Sequence, residues 1–408
     1  MDSTVDFRKI PFSPPDITDE EIKEVTDALK SGWITTGPKT KELERIIAKR
    51  CNTYKAACFS SSTSAMEMTL RILGIGPGDE VIVPAYTYTA TASVVCHVGA
   101  TPVMADVERG TFKIDKKQLK NLINGRTKAV IPVDFAGVIE DYDEIRDIVQ
   151  SEKHLFTANG MYQEAYGRPV IIADSAHGFG ASQKGRMSGE ISDFTSFSFH
   201  AVKNFTTAEG GAITWKEHDK IDGEELYNKF MLYSLHGQNK DALAKSRLGS
   251  WEYDIVAPLY KCNMTDIQAA IGTAQSKRYD SMLARRREII SMYENELKGD
   301  IEITEHVGKD FTSSGHLMIV RIPGLDEAGR NEFIVRMAER GVACNVHYKP
   351  LPMLSAYKNM GFDIKDYPNA YDMYRCEISL PLHTLLSDDD VCYVTDKFNE
   401  VYGEMLCH

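Results

Sequence analysis

The sequence of 408 residues lacks the features that mark several common classes of protein. It has no uninterrupted apolar run of about 18–20 residues, the length that a membrane-spanning helix needs, so we expect no membrane partner. Its eight cysteines are scattered singly with no C-x-x-C pair, a pattern that predicts neither a zinc site nor a disulfide framework. No strand-like segment precedes a G-x-G-x-x-G turn, which argues against a nicotinamide-dependent dehydrogenase.

Positive charge is also scarce. The 47 lysines and arginines are outnumbered by 59 aspartates and glutamates, which gives a formal net charge of −12. We expect no nucleic-acid partner, because binding to the phosphate backbone needs a basic surface that displaces counterions. The N-terminal stretch has neither an apolar signal region nor a small-residue cleavage site, so we expect a cytoplasmic location.

The sequence does contain enough apolar residues for two packed units. Hydrophobic residues make up 43% of the chain, and its length exceeds the roughly 250–300 residues that one hydrophobic core usually spans. We predict a large domain over residues 1–265, which includes an N-terminal helical arm. Residues 266–408 would then form a linking helix and a small C-terminal domain.

Short runs of β-branched residues alternate with helical patterns, as is typical of strands buried on both faces of a parallel sheet. The predicted fold class is therefore α/β, with a mainly parallel central sheet, helices on both faces and a smaller α+β C-terminal domain. Ligands of such sheets gather at the carboxyl ends of the strands. Residues 216–250 are polar, and we predict a loop-rich excursion there. The predicted strands are 56–59, 80–83, 101–104, 129–133 and 170–174.

A dense run of polar side chains, SFSFHAVKNFTTAEGG at residues 196–211, lies between two apolar strands. Its last fourteen residues match S-F-H-x-x-K-x-x-T-x-x-E-G-G position for position, and here the sequence resembles the DegT/DnrJ/EryC1/StrS family of pyridoxal-phosphate-dependent nucleotide-sugar aminotransferases. The resemblance extends over most of the chain, including the loop 32–38, the strand that ends at Asp174 and the segment 347–350. It implies fold type I of the pyridoxal-phosphate enzymes, with pyridoxal 5′-phosphate as the cofactor.

Lys203 is the first candidate for catalysis. An aldehyde cofactor needs an amine that can be neutral near pH 7, and the cationic ring and hydroxyl network of the bound cofactor lower the pKa of a lysine. The resemblance implies that Lys203 binds the cofactor covalently and, once released, moves a proton. Without its motif, a lysine is most commonly an exposed surface residue.

Asp174 ends an apolar strand, at the edge of the sheet where ligands gather. A carboxylate on the pyridine nitrogen keeps that nitrogen protonated, which lets the ring accept electrons. The match to the family pattern Asp-x-Ala-His/Gln implies this role for Asp174, although an aspartate after a strand is ordinarily a helix cap. His177 matches the position that contacts the ring or its 3′-oxygen, and a structural histidine would look the same.

The serine-rich segment after the first predicted strand suits a phosphate group. Ser62 and Thr63 lie where backbone amides and hydroxyls converge on a positive helix terminus, although the family commonly has Gly-Thr there and serine-rich caps are common without a ligand. The resemblance adds Ser198 as a phosphate contact and Tyr88 as the aromatic that stacks on the ring, where the alternative is an aromatic packed at a domain seam. Asn263 corresponds to an asparagine that reaches the phosphate of the neighbouring subunit, which implies a homodimer with shared active sites.

Four residues are candidates for binding the substrate. Thr36 lies in the early loop of the resemblance, and His347, Tyr348 and Lys349 follow a predicted strand of the small domain. The last three carry groups able to bind sugar hydroxyls or pyrophosphate, and an exposed polar loop is nearly as good an interpretation. The resemblance implies a nucleotide-linked keto-sugar as acceptor and an amino acid, L-glutamate by analogy, as amino donor.

The predicted function is therefore an aminotransferase for polysaccharide, glycan or antibiotic sugar biosynthesis. A sugar dehydratase on the same fold is the nearest alternative, but relatives of that kind replace the lysine with histidine. A non-catalytic, cofactor-binding regulatory protein would lose the lysine or gain a further domain. The segment 151–168 is longer than the usual connection, and a surface loop, a dimer contact and a substrate lid are all open interpretations of it.

Overall fold

The structure is a computed structural model, which describes residues 8–240 and 252–406. Helices and strands alternate along its first half, as predicted. The last part of the predicted loop-rich excursion, 241–250, lies outside the described residues. The α-helices are α1 Asp19–Lys30, α2 Pro38–Arg50, α3 Ser62–Ile72, α4 Thr89–His97, α5 Lys116–Leu122, α6 Tyr142–Ser151, α7 Met161–Tyr166, α8 Gly223–Ser234, α9 Asp266–Glu296, α10 Glu327–Glu339, α11 Ser355–Lys358, α12 Pro368–Arg375 and α13 Asp388–Leu406. The strands are β1 Ala56–Phe59, β2 Glu80–Pro84, β3 Thr101–Ala105, β4 Thr127–Val130, β5 Val170–Asp174, β6 Ser182–Gln183, β7 Arg186–Met187, β8 Phe194–Ser198, β9 Gly211–Trp215, β10 Glu302–Ile303, β11 Phe311–Thr312, β12 Met318–Arg321 and β13 Glu377–Leu380.

The central sheet has seven strands in the order β1-β9-β8-β5-β4-β2-β3. From β8 to β3 the neighbouring strands run parallel. Strand β9 runs antiparallel to both of its neighbours, β8 and β1. Every residue of β2 and β5 is buried, as expected for strands covered on both faces. The predicted α/β class with a mainly parallel central sheet is confirmed.

Helices cover both faces of this sheet. In β2, Val81 and Val83 belong to a core cluster that contains apolar residues of α3 and α4. Ile82, which lies between them, belongs to a different cluster with Leu119 of α5 and Ile145 of α6. Alternate side chains of a strand point to opposite faces, so the two clusters lie on opposite sides of the sheet.

A further core lies in the C-terminal part. Strands β10, β12 and β13 form an antiparallel sheet, and apolar residues of β12 pack in one cluster with those of α10 and α13. Ile10 joins this cluster, and its N–H donates to the carbonyl of Gly341 at 2.8 Å. Strand β11 instead pairs with β6 of the large part. The domain boundary after residue 265 stays a prediction, and the N-terminal segment and β11 both cross it.

Helix α9 joins the two parts of the molecule. It begins at Thr265, whose side chain forms a capping box with Gln268, and continues for 31 residues. It packs against α1 and α2 and reaches α13 of the small domain. Although α9 is long, no helix within residues 8–240 and 252–406 is apolar enough to cross a membrane.

The prediction of irregular structure from residue 216 onward is wrong where α8 lies. Asp222 caps this helix by accepting hydrogen bonds from the N–H groups of Glu224, at 2.8 Å, and Glu225, at 3.3 Å. Leu226 and Phe230, one helical turn apart, are fully buried. Most of the stability of a helix in a protein comes from the packing of its apolar face, so burial of these two side chains can stabilise a helix in a largely polar segment.

The long segment 151–168 packs at the end of the sheet opposite the carboxyl ends of the parallel strands. Gln163 of α7 is buried, and its side-chain amide donates to the carbonyl of Leu73 at 2.9 Å. The side-chain amide of Asn159 donates to Asp79, the residue before β2, at 3.0 Å. This position argues against the interpretation as a substrate lid.

Candidate active site

A cavity of about 360 Å³ lies at the carboxyl ends of the parallel strands. Its walls come from the start of α3, the loops after β2, β5 and β8, and two segments of the C-terminal part. Nine of the residues predicted from the sequence line this cavity: Ser62, Thr63, Tyr88, Asp174, His177, Ser198, Lys203, His347 and Tyr348. Residues that are far apart in sequence are therefore brought together at one place.

Lys203 follows β8 by five residues, and its backbone N–H closes a turn onto the carbonyl of His200 at 2.9 Å. Its side chain is half-buried, and within the described residues its amine has neither a hydrogen bond nor an ion pair. Burial lowers the pKa of the Lys203 amine to about 8, and the charge of Asp174 acts in the opposite direction. About a tenth of the amine is therefore neutral at pH 7, and the neutral form is the one that attacks a carbonyl.

Asp174 is the last residue of β5 and is 5% exposed. One carboxylate oxygen accepts a hydrogen bond from the hydroxyl of Thr91 at 2.7 Å, and the other accepts from the N–H of Ala176 at 3.3 Å. Burial raises the pKa of the Asp174 carboxyl, while these hydrogen bonds and the charge of Lys203 lower it. A cationic group in the cavity would therefore be held strongly by this carboxylate.

The sequence analysis missed Thr91, which lies on α4. Its hydroxyl also contacts that of Thr87, at 2.7 Å, and both residues are buried. The signal was present in the sequence, because two threonines four residues apart follow β2 at its carboxyl end, the second of them in the first turn of α4. Only the folded chain reveals that this face points toward Asp174.

The start of α3 provides the phosphate end of the cavity. The hydroxyl of Ser62 lies 2.8 Å from that of Ser196, so it is already engaged within the chain. The hydroxyl of Thr63 has no partner among the described residues, and that of Ser198 contacts only the N–H of His200, at 3.4 Å. Thr63 and Ser198 thus have free hydroxyls, whereas Ser62 can offer mainly its backbone N–H at the positive helix terminus. Ser62 lines the cavity, and its contact with the phosphate stays a prediction.

Both glycines that end the motif lie where a side chain would clash, and Gly211 allows β9 to lie close to α3. A Cβ atom on Gly211 would lie 2.2 Å from the backbone nitrogen of Ser62. A Cβ atom on Gly210 would lie 2.1 Å from the hydroxyl oxygen of Thr207. A larger residue at position 211 would push the start of α3 away, so Gly211 sets the width of the phosphate end.

His177 follows β5, and both of its ring nitrogens have partners within the chain. Nδ1 accepts from the N–H of Ala136 at 3.3 Å, and Nε2 lies 2.9 Å from the hydroxyl oxygen of Tyr348. Burial lowers the pKa of His177 well below its ordinary value, and the charges of Lys203 and His347 act in the same direction. The ring is therefore neutral at physiological pH.

His347 and Tyr348 bring the C-terminal part of the chain to the cavity. Nδ1 of His347 lies 2.8 Å from the hydroxyl of Ser379, and the backbone N–H of His347 donates to the buried carboxylate of Glu377 at 3.0 Å. Burial, with a contribution from the charge of Lys203, lowers the pKa of His347 to about 3. The ring of Phe12 stacks on that of His347 with 5.4 Å between centroids, so the N-terminal segment also lines the cavity. Phe12 was not predicted from the sequence, because no local pattern around it indicates a contact with His347 in the C-terminal part of the chain.

Tyr88, the aromatic residue predicted to stack on the cofactor ring, is largely exposed to solvent. Its side chain is 59% exposed, and its ring lies 5.5 Å from that of Tyr348, at an angle of 48°. It lies at the rim of the cavity, just before α4. An open aromatic ring at this place has a face available for a planar ligand.

Three predicted residues do not line the cavity of this chain: Thr36, Asn263 and Lys349. Thr36 is buried, and its hydroxyl donates to the carbonyl of Met264 at 2.6 Å. The side-chain amide of Asn263 donates to the Thr36 hydroxyl at 2.6 Å, so these two form one polar pair. Lys349 is exposed. The structure thus does not bring them to Lys203 within one chain.

The residues that line the cavity fit pyridoxal 5′-phosphate. The group needs a neutral amine, a carboxylate for its cationic nitrogen and amide or hydroxyl donors for its phosphate. The unpartnered Lys203 amine, the buried Asp174 carboxylate and the start of α3 supply these three kinds of group around one cavity. A mostly parallel sheet with this set of residues at its carboxyl edge defines a transferase of pyridoxal-phosphate fold type I.

The particular family follows from comparison with known proteins: the chain belongs to the DegT/DnrJ/EryC1/StrS aminotransferase family, which matches residues 15–399. Spr1654 from Streptococcus pneumoniae, described as a sugar aminotransferase, is 55% identical in its PMP form, with a TM-score of 0.95 over 98% of this chain and 100% of that one. The spore coat polysaccharide biosynthesis protein SpsC from Bacillus subtilis (strain 168) is 38% identical over 400 residues, which are 96% of this chain and 97% of SpsC. PseC from Helicobacter pylori, an aminotransferase involved in the biosynthesis of pseudoaminic acid, is 25% identical with a TM-score of 0.85, over 97% of this chain and 100% of that one.

The predicted family, the fold class and the aminotransferase class are confirmed by these matches. Spr1654 was solved in PLP and PMP forms, which agrees with the cofactor predicted here. The roles of single residues, the homodimer and the identity of the two substrates stay predictions.

Proposed function

We propose that this protein uses pyridoxal 5′-phosphate to transfer an amino group from an amino acid, L-glutamate, to a nucleotide-linked keto-sugar. The product would serve polysaccharide, glycan or antibiotic sugar biosynthesis. The observation that carries the proposal is the half-buried Lys203 amine, which has no partner among the described residues and shares one cavity with the Asp174 carboxylate. The description of SpsC as a spore coat polysaccharide biosynthesis protein supports a product of this class.

When bound, the cofactor supplies an electron-accepting ring that stabilises negative charge on the carbon that loses its proton. Asp174 holds the ring nitrogen in its protonated form, and Thr91 keeps the carboxylate ionised by donating to it at 2.7 Å. Lys203 would hold the cofactor and, once displaced by the amino donor, its free amine would accept the proton from the α-carbon of the donor and release it to the cofactor. The pKa of about 8 allows the amine to accept and release that proton near neutral pH.

The remaining cavity residues bind and orient. The N-terminal N–H groups of α3, with the hydroxyls of Thr63 and Ser198, hold the phosphate. Tyr88 covers one face of the ring from the rim, where its side chain is 59% exposed before any ligand binds. His347 and Tyr348 contact the sugar, and the exposed Lys349 attracts the pyrophosphate that links sugar and nucleotide.

We propose further that the enzyme is a homodimer in which Thr36 and Asn263 complete the site of the partner subunit. Their position outside the cavity of their own chain agrees with this role. The apolar residues Ile22 and Leu29 of α1 are 58% and 53% exposed, so α1 presents an apolar face to its surroundings. Such a face is typical of an interface.

Two alternatives are disfavoured by the same observation. A dehydratase on this fold would carry histidine in place of Lys203, and a non-catalytic regulator would have no need of a half-buried amine beside a buried carboxylate. Burial of an ionisable amine without a partner is unfavourable. Groups of this kind are found mainly at functional sites.

The first test is spectroscopic. Purified protein supplied with pyridoxal 5′-phosphate should absorb in the visible range, and addition of L-glutamate should bleach this absorption. Lys203→Ala should fold normally but lose the bleaching, whereas Lys358→Ala, at an exposed lysine of α11, should behave as the wild type. A colourless protein, or bleaching that survives in Lys203→Ala, would refute the proposal. Nucleotide-linked 3- and 4-keto-6-deoxyhexoses are the acceptors to screen for glutamate-dependent amination.

A further inference from the structure

A chain of three groups behind the cavity fixes the direction of a hydrogen bond. It begins at Ala136, in the turn after β4, where a positive φ of 56° turns the backbone N–H toward His177. This N–H lies 3.3 Å from Nδ1 of His177. A backbone N–H can only donate, so Nδ1 must carry its lone pair and no hydrogen.

The second step follows from the charge of the ring. His177 is 7% exposed, and its burial keeps the imidazole neutral, as does the nearby charge of Lys203. A neutral imidazole has a single N–H hydrogen. Because Nδ1 is an acceptor, this hydrogen is on Nε2, and the tautomer of His177 is fixed by the backbone.

The third step concerns Tyr348. Its hydroxyl oxygen lies 2.9 Å from Nε2 of His177 and therefore accepts the Nε2 hydrogen. The hydrogen of the phenol is left for another acceptor, and no other group of residues 8–240 or 252–406 forms a hydrogen bond with this hydroxyl. Tyr348 lines the cavity, and its ring is fixed edge-on to Phe135 with 6.1 Å between centroids.

We infer that Tyr348 is a preset hydrogen-bond donor to an oxygen atom of the sugar substrate, and that Ala136 and His177 are the positioning residues that set its direction. The inference rests on the proposed function for the identity of the substrate. It assigns His177 a positioning role in addition to the contact with the cofactor ring that the resemblance implies, because its two ring nitrogens bind Ala136 and Tyr348. An accepted hydrogen bond also strengthens the donor on the same oxygen, so the phenol suits a carbonyl or ring-hydroxyl oxygen.

The tautomer can be measured without any turnover. Protein without cofactor, labelled with ¹⁵N in the histidine rings, should show His177 with a protonated Nε2 and an unprotonated Nδ1 throughout the range of about pH 6 to 9. The His177 signals are identified by their loss in His177→Gln. A protonated Nδ1, or titration of the ring within this range, would overturn the inference.

The effect on the substrate is tested with the two half-reactions measured separately. Tyr348→Phe should lower kcat/KM for the keto-sugar about tenfold, the effect of one lost hydrogen bond, and this loss should exceed the loss in the glutamate half-reaction severalfold. Tyr371→Phe, which removes an exposed hydroxyl of α12, is the matched control and should leave both half-reactions unchanged. If Tyr348→Phe lowered kcat/KM equally in the two half-reactions, Tyr348 would not be a hydrogen-bond donor to the sugar.

Two substitutions of His177 separate positioning from packing. Asparagine places its oxygen near the position of Nδ1 and can still accept from Ala136, but it cannot reach Tyr348. Glutamine places its amide near Nε2 and can donate to Tyr348. The keto-sugar half-reaction should therefore be impaired in His177→Asn, as in Tyr348→Phe, and largely restored in His177→Gln. The same loss in both variants would refute the positioning role, whereas failure of all variants and of the wild type to form the coloured enzyme would refute the proposed function alone.

Discussion

Replacing Thr91 with valine removes one hydrogen bond from Asp174 and preserves the shape of the side chain. Thr91 is fully buried, Asp174 is 5% exposed, and the bond between them is 2.7 Å long. A hydrogen bond to a charged group contributes about 1.5–3 kcal/mol. Thr91→Val should therefore raise the pKa of the Asp174 carboxyl further above its already raised value, because the ionised form loses a donor.

The sign of the effect on stability follows from the direction of this shift. Burial already raises the pKa of Asp174 in the folded protein, so the folded state binds a proton more tightly than the unfolded state. Such a group lowers the free energy of unfolding as the pH rises above the unfolded pKa, and this loss is complete above the folded pKa. Thr91→Val enlarges the difference between the two pKa values. The variant should therefore lose up to about 1.5–3 kcal/mol at a pH above its raised folded pKa, and progressively less as the pH falls toward the ordinary aspartate pKa of about 4.

Urea unfolding of the cofactor-free protein at several values of pH would measure this. Thr91→Ser keeps the hydroxyl and is the matched control, because it removes a methyl group while Asp174 retains its donor. The reasoning would be refuted if Thr91→Val lost the same free energy at every pH, since the loss would then come from packing. It would be refuted equally if Thr91→Ser showed the same dependence on pH as Thr91→Val.

Three further substitutions address the phosphate end of the cavity and the exposed face of α1. Gly211→Ala should lower the free energy of unfolding by about 1–3 kcal/mol, because its Cβ would lie 2.2 Å from the Ser62 nitrogen, whereas Gly403→Ala, with open space around it, should not lower the melting temperature. Thr63→Val should weaken binding of pyridoxal 5′-phosphate about tenfold in a spectroscopic titration, through loss of a hydroxyl donor to an anion; unchanged affinity would remove Thr63 from the phosphate site. Ile22→Glu should shift the protein toward the monomer in analytical ultracentrifugation, while Leu385→Glu, at an equally open position, should not.

The sequence predicts those parts of the fold that depend on local periodicity. The strands that include Val81 and Ile171 and the long helix from Asp266 agree with the structure to within a few residues, because buried β-branched runs and capped amphipathic helices carry their own signals. Contacts between segments that are distant in sequence leave no such local signal. The stacking of Phe12 on His347 joins residues 335 positions apart, and no pattern in either segment indicates the other.

The same distinction explains why the motif could name Lys203 and Asp174 as the predicted catalytic pair but could not give the electrostatics of the two groups. Burial acts on Lys203 and Asp174 in opposite directions: it lowers the pKa of the amine and raises that of the carboxyl, so both shifts disfavour the charged forms. The charge of each group partly offsets the effect of burial on the pKa of the other. A ligand that brings a cationic nitrogen to Asp174 and removes the positive charge of the Lys203 amine would relieve both costs at once. The cavity therefore favours such a ligand electrostatically. Because the ligand binds the folded state, it should also raise the free energy of unfolding by mass action.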